Sequence, residues 1–348
     1  MADPSSDSVS LSPQRDGVVD DSGSVDPVSP PSDGDERRLT ARWRAILLLA
    51  FGLLCAVALA GLYLGAVRTR PGQRVDEAAI VGRGGGQLIQ LTSTRALDTI
   101  SLSSLAVAAA VLLVFAVTRR RPRLALGVAV MIAGANVTTQ VLKTELLSRP
   151  DLLDRPGAAT VPSFPSGHAT VAVSLALALV LVVPARLRVM AGLIGMGYAV
   201  AVGAATLTAG WHRPSDVIAA YLVATVWVTA VLAGLLAWRG IGTSPMPEIF
   251  GRTLSSWRLL VLGVALVAAA GLVTGTVVVV LDGRDLDAGQ LGPSYVGAVA
   301  AIAGVAIVIL SVLLWILRGA RIDPPRDQTD ERVVPFPEAW GLPESDAR

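Results

Sequence analysis

Residues 217–238 read VIAAYLVATVWVTAVLAGLLAW, an apolar run without a single charge. A bilayer core about 30 Å thick takes about 20 such residues at 1.5 Å of helix rise each. The run therefore predicts a membrane-crossing helix. Seven further runs of the same kind lie at 45–67, 99–117, 124–142, 169–187, 189–209, 259–281 and 295–317. A membrane barrel would show alternating segments of about ten residues instead of solid runs. The expected fold is an all-α membrane protein, a helical bundle of about eight transmembrane helices.

Composition points the same way. Of 348 residues, 53% are hydrophobic and 16% charged, with a mean hydropathy of +0.61. A soluble domain carries about 25% charged residues. That excludes a soluble enzyme and a disordered protein. A net charge of +2 is too small to dominate binding to a polyanion, so no nucleic-acid partner is expected. The single cysteine, Cys55, lies in an apolar run and forms no disulfide framework.

Four regions follow from the shifts in composition. Residues 1–40 form an acidic cytoplasmic tail without structure: its first 36 residues hold nine acidic residues, nine serines and five prolines against one arginine. Residues 41–240 hold six helices, 241–318 two more, and 319–348 a second flexible tail. Gly84-Gly85-Gly86 reads as a plain flexible loop, since no strand precedes it. Gly271 and Gly275 have the spacing of a close helix contact inside the bundle.

Arginine placement sets the orientation. Arg37 to Arg44, Arg119 to Arg123, Arg186 and Arg188, Arg239 to Arg258, and Arg318 and Arg321 fall on one side. That side is read as the cytoplasm of a plasma (inner) membrane, with both termini inside. The loop 68–98 lies outside despite its five arginines. Two more loops on that side hold the single lysine and both histidines.

The first of these loops runs from Lys143 through Arg149-Pro150 to Pro165-Ser166-Gly167-His168. Proline favours a helix start and serine caps it. The free N–H groups there attract an anion, and an imidazole beside them can protonate a leaving oxygen. An ordinary helix start with a surface histidine fits the tetrapeptide equally well. The second loop reads Thr206 to Asp216 and contains Trp211-His212-Arg213-Pro214. Asp216, four residues after His212, is placed to hold Nδ1 and leave Nε2 free to attack; a pair that merely caps a helix has the same spacing. Lys143 and Arg149 suit phosphoryl oxygens, or they snorkel to lipid headgroups. Taken together, cations, an anion-binding helix start and two histidines describe phosphoryl transfer through a phosphohistidine. Asn136, Thr138, Thr139 and Gln140 late in the third span pack or line the site entrance. No carboxylate or cysteine cluster with metal-ligand spacing appears, so neither metal nor cofactor is expected.

These motifs resemble the type 2 phosphatidic-acid phosphatase superfamily of membrane enzymes. Its signature is Lys-x6-Arg-Pro, then Pro-Ser-Gly-His, then Ser-Arg-x5-His-x3-Asp. The middle motif is intact at 165–168, and His212 and Asp216 keep the spacing of the last. The resemblance covers roughly residues 100–240 and implies a six-helix phosphatase-like core. It implies His212 as nucleophile, Asp216 as its orienting acid and His168 as proton donor. Lys143, Arg149, Ser166 and Gly167 would hold the phosphoryl oxygens. The implied activity is a metal-independent lipid phosphate or diphosphate phosphatase facing outward; the alternatives are a phosphotransferase of the same superfamily or a catalytically impaired lipid-binding protein. The implied partners are a lipid phosphate and the bilayer, with oligomeric state unread.

The sequence departs from the signature twice. Lys143 and Arg149 are separated by five residues instead of six, and Ala205 and Thr206 stand where Ser-Arg is expected. Either Arg213 or Arg155 supplies the missing cation, or the substrate needs it less, or catalysis is lost. Arg213 is favoured because it neighbours His212.

Overall fold

In the computed structural model, residues 33–84, 94–95, 109–110, 114, 117, 121–153, 163–239, 242–243, 256–280, 288–318 and 320–321 are described. Most of the expected tails, most of span 99–117, Gly85, Gly86 and Arg155 lie outside the described residues.

Among the described residues eight long helices follow one another: α1 (Asp33–Leu62), α2 (Arg70–Val81), α3 (Pro122–Val141), α4 (Gly167–Val182), α5 (Arg188–Thr208), α6 (Pro214–Arg239), α7 (Ser256–Val280) and α8 (Ala288–Ile316). Single π turns extend α1 over Tyr63–Val67 and α3 over Leu142–Leu146. Besides helix, the described residues contain one antiparallel pair of two-residue strands, Gly242–Thr243 with Ala320–Arg321.

Six of these helices are long and apolar enough to cross a membrane, so this is a multi-pass membrane protein. The stretch Pro214–Ala237 is the centre, with 67% of it buried, against 22% for Leu39–Val67 and for Trp257–Thr276 at the periphery. Helix α4 differs from expectation. It ends at Val182 instead of running to 187, because Pro184 follows and a short 3-10 turn, Ala185–Leu187, takes over. Its 16 residues reach only about 24 Å. Being apolar all round and packed among α3, α5 and α6, it is enclosed by protein rather than lipid.

The core joins α3–α6 with α8 through Met131, Leu177, Leu181, Leu207, Tyr221, Leu232 and Ile302, all fully buried. Hydrogen bonds add register. Thr139 Oγ1 pairs with Thr170 Oγ1 at 2.9 Å, and Trp227 Nε1 donates to Thr138 Oγ1 at 3.0 Å. The polar residues late in α3 thus tie it to α4 and α6. Helices α7 and α8 pack against each other where Gly263 meets Gly304: a Cβ on either would stand 2.8–2.9 Å from the other's carbonyl oxygen. A Cβ on Gly271 or Gly275 would meet nothing within 4 Å among the described residues, a correction to the packing their spacing suggested.

The two ends of the bundle differ. At one end Arg44 Nη2 donates to Arg318 O at 2.8 Å and Arg188 Nη1 to Ala320 O at 2.7 Å, satisfying carbonyls after the end of α8. At the other, Tyr295 near the start of α8 pairs with Thr208 Oγ1 at 2.8 Å. Both histidine loops lie at this second end.

Candidate active site

The chain reverses tightly after α5. Gly210 N–H donates to Leu207 O at 2.9 Å and Trp211 N–H to Thr206 O at 3.0 Å, the paired bonds of a Schellman ending. The reversal needs φ +75° at position 210, which glycine adopts without a steric penalty. His212 N–H reaches the same Thr206 carbonyl at 3.3 Å. Helix α6 then starts at Pro214, whose absent N–H is no loss in a first turn. Asp216 sits in that turn, fully buried. Its Oδ2 lies 3.4 Å from His212 Nδ1 and accepts from Arg213 N–H at 3.0 Å.

The other loop is stitched to this one. Ser166 N–H donates to the Asp216 carbonyl at 2.9 Å, while its hydroxyl caps α4 by accepting from Ala169 N–H at 3.3 Å. Both groups of Ser166 thereby hold the frame. The N–H groups of Gly167 and His168, in the first turn, have no intrahelical partner and remain for an anion. The His168 ring sits just ahead of the apolar stretch that starts at Ala169. Its centroid is 6.5 Å from that of His212 and 5.5 Å from that of Trp211. Burial holds the His168 imidazole below its ordinary range, and the neighbouring His212 and Lys143 push it the same way.

Sequence reasoning missed one participant. Residues 70–81, within the stretch 68–98 that the sequence places outside as a loop, form α2. Thr69 caps it by accepting from Gly72 N–H at 3.1 Å, and Pro71 lies in its first turn. A capping threonine followed by proline is a helix-start signal that was available in the sequence. Helix α2 carries Asp76 inward. Asp76 accepts from Ser215 N–H at 3.2 Å, Ser215 Oγ at 2.6 Å and Arg149 Nη2 at 3.0 Å. The same Arg149 nitrogen reaches Asp216 Oδ1 at 3.5 Å. One guanidinium thus bridges two buried carboxylates. Burial raises the Asp76 carboxyl above its ordinary range; Arg149 and the Ser215 hydrogen bond pull it back, and the Asp216 charge opposes them.

His212, Asp216, His168, Ser166, Gly167 and Arg149 therefore gather at one end of the bundle. Lys143 lies in the π turn after α3, close enough to His168 to act on its charge. The Arg213 guanidinium is paired with Glu77 of α2 at 3.8 Å. Thr206 is fully buried and its hydroxyl donates back to Gly203 O at 2.7 Å, so no cation comes from that position. Among the described residues, Arg149 Nε is buried without a partner.

Residues 124–239 match the model of a family described as the PAP2 superfamily. No curated protein and no solved structure matches the chain.

Proposed function

We propose that this membrane protein, whose residues 124–239 match the PAP2 superfamily model, hydrolyses lipid phosphates or diphosphates through a phosphohistidine on His212. The observation that carries the reading is the pair of imidazoles whose ring centroids lie 6.5 Å apart, with Asp216 behind the first. Asp216 accepts a hydrogen bond from His212 Nδ1–H and leaves the Nε2 lone pair to attack phosphorus. The bond from phosphorus to the leaving oxygen breaks, and His168 gives that oxygen its proton. Water then attacks the phosphohistidine, His168 takes the proton back, and phosphate leaves. Lys143 and the N–H groups of Gly167 and His168 stabilise charge on the transferred group. The arginine asymmetry supports placing this end of the bundle outside and both termini in the cytoplasm.

A second reading, lipid binding without catalysis, is favoured by two observations. Thr206 stands where the signature has arginine, and Arg149 is engaged by two carboxylates.

Phosphate release from phosphatidic acid, phosphatidylglycerol phosphate and polyprenyl diphosphate, with chelator present, separates the two readings. Release that orthovanadate inhibits supports hydrolysis. Lipid binding with no release from any of the three contradicts it. Phosphate appearing on a second lipid instead of in solution identifies a transferase.

The pH profile gives an independent check. His168 must be charged to donate, so kcat/KM falls as pH rises through its pKa, which lies below the ordinary value of about 6.5. Lys143 is one of the charges that depress it. Lys143→Met removes a positive neighbour and so favours the imidazolium. Its falling limb is expected at higher pH than the parent's, whatever happens to the absolute rate. A limb that stays put or moves to lower pH contradicts the assignment of His168.

A further inference from the structure

Charge accumulates on three equatorial oxygens when a phosphoryl group is transferred, and fixed cations are the main means of stabilising it. Position 206 supplies none. Among the cations at this end, Arg149 is held by Asp76 and Asp216 and Arg213 by Glu77. Arg83 is different. It follows α2 directly, and its guanidinium lies against Gly210, two residues ahead of His212. A Cβ on Gly210 would collide with Arg83 Nη1 and stand 2.9 Å and 3.1 Å from Cζ and Nη2. No hydrogen bond or ion pair engages this half-buried guanidinium among the described residues. The glycine that closes the α5 reversal thus also makes room for a cation beside the loop that carries the nucleophile.

The position is set by the fold. Gly82, at the end of α2, touches the Leu291 carbonyl of α8 so closely that a Cβ there would overlap it. Asp76 anchors the middle of α2 to Ser215 and Arg149. Helix α2 is therefore held at both places, and α8, which lies beyond the family match, fixes where Arg83 emerges.

We propose that Arg83 binds the transferred phosphoryl group, replacing from α2 the arginine that the signature places at 206. The proposal rests on the phosphatase reading above. An arginine fork offers paired donors to phosphoryl oxygens, whereas a lysine offers a point charge.

The test uses the full chain in detergent, with Arg83→Met, Arg83→Lys and His212→Ala beside the parent. Arg83→Met is expected to lower kcat/KM by about 10²–10³-fold and to weaken orthovanadate inhibition by at least about tenfold, while its melting temperature stays at the parent's. Arg83→Lys is expected to recover part of both losses. Turnover and vanadate inhibition by Arg83→Met within about threefold of the parent overturn the proposal. A loss of turnover that comes with a lowered melting temperature, and that lysine does not relieve, also overturns it, because the role is then structural. If the parent shows no release that depends on His212, the phosphatase reading fails on its own. Inorganic phosphate then decides: a rise in melting temperature seen in the parent and lost in Arg83→Met upholds the anion site, and equal rises in both overturn it.

Discussion

His212→Ala releases no phosphate above background. The expected fall in kcat is at least about 10⁴-fold, since removal of a nucleophile that acts as part of a unit leaves only binding and charge stabilisation. The fold survives the change. Asp216 keeps the Arg213 N–H and Arg149 as partners after the imidazole is gone, and Ser166 still ties the two loops together through the Asp216 carbonyl. The variant should therefore still bind substrate and melt near the parent. Activity of His212→Ala within tenfold of the parent would remove His212 from the chemistry, whatever the family match suggests.

Arg149→Met destabilises the protein by about 3–5 kcal/mol, the range for stripping a buried charge of its partner. The side chains of Arg149 and Asp76 are 5% and 4% exposed, and that of Asp216 is 0%, so solvent screens the cluster little. Without the guanidinium two buried carboxylates face each other uncompensated. Asp76 is the one already raised by burial, so it takes up a proton first. Adding Asp76→Asn removes that carboxylate while keeping a group that can meet Ser215. The double variant should therefore recover a substantial part of the stability that Arg149→Met loses, a coupling that denaturant titration in detergent can read. A double variant as unstable as the sum of its parts contradicts the shared-guanidinium account. So does an Arg149→Met protein that loses activity at unchanged stability, because Arg149 would then act on substrate alone.

The membrane helices were legible because apolar runs such as 217–238 leave little choice of structure. The site loops were legible because histidine and lysine are so scarce in this chain that their clustering stands out. Asp76 was not legible. Thr69 and Pro71 signal that a helix starts there, but not that the helix turns Asp76 inward. Its partners stand 73 and 139 positions away, a separation that no local pattern encodes. The same applies to Arg83: nothing in its neighbourhood marks it, and only the α5 reversal at Gly210 brings it into view. Glycine spacing misled for a related reason. Gly271 and Gly275 share a face, but α8 packs against the face of α7 that carries Gly263, Ala270 and Thr274, and which face is used depends on both helices. Helix α4 came out shorter than its apolar run because a proline sets its end whatever the hydropathy beyond.

The most direct measurement is to quench the protein during turnover of a lipid carrying labelled phosphate and to locate the label. An acid-labile, base-stable phosphoryl group is expected on His212, present in the parent and absent in His212→Ala. Steady release of phosphate by the parent with no label on any histidine, or with label that persists in His212→Ala, would contradict it.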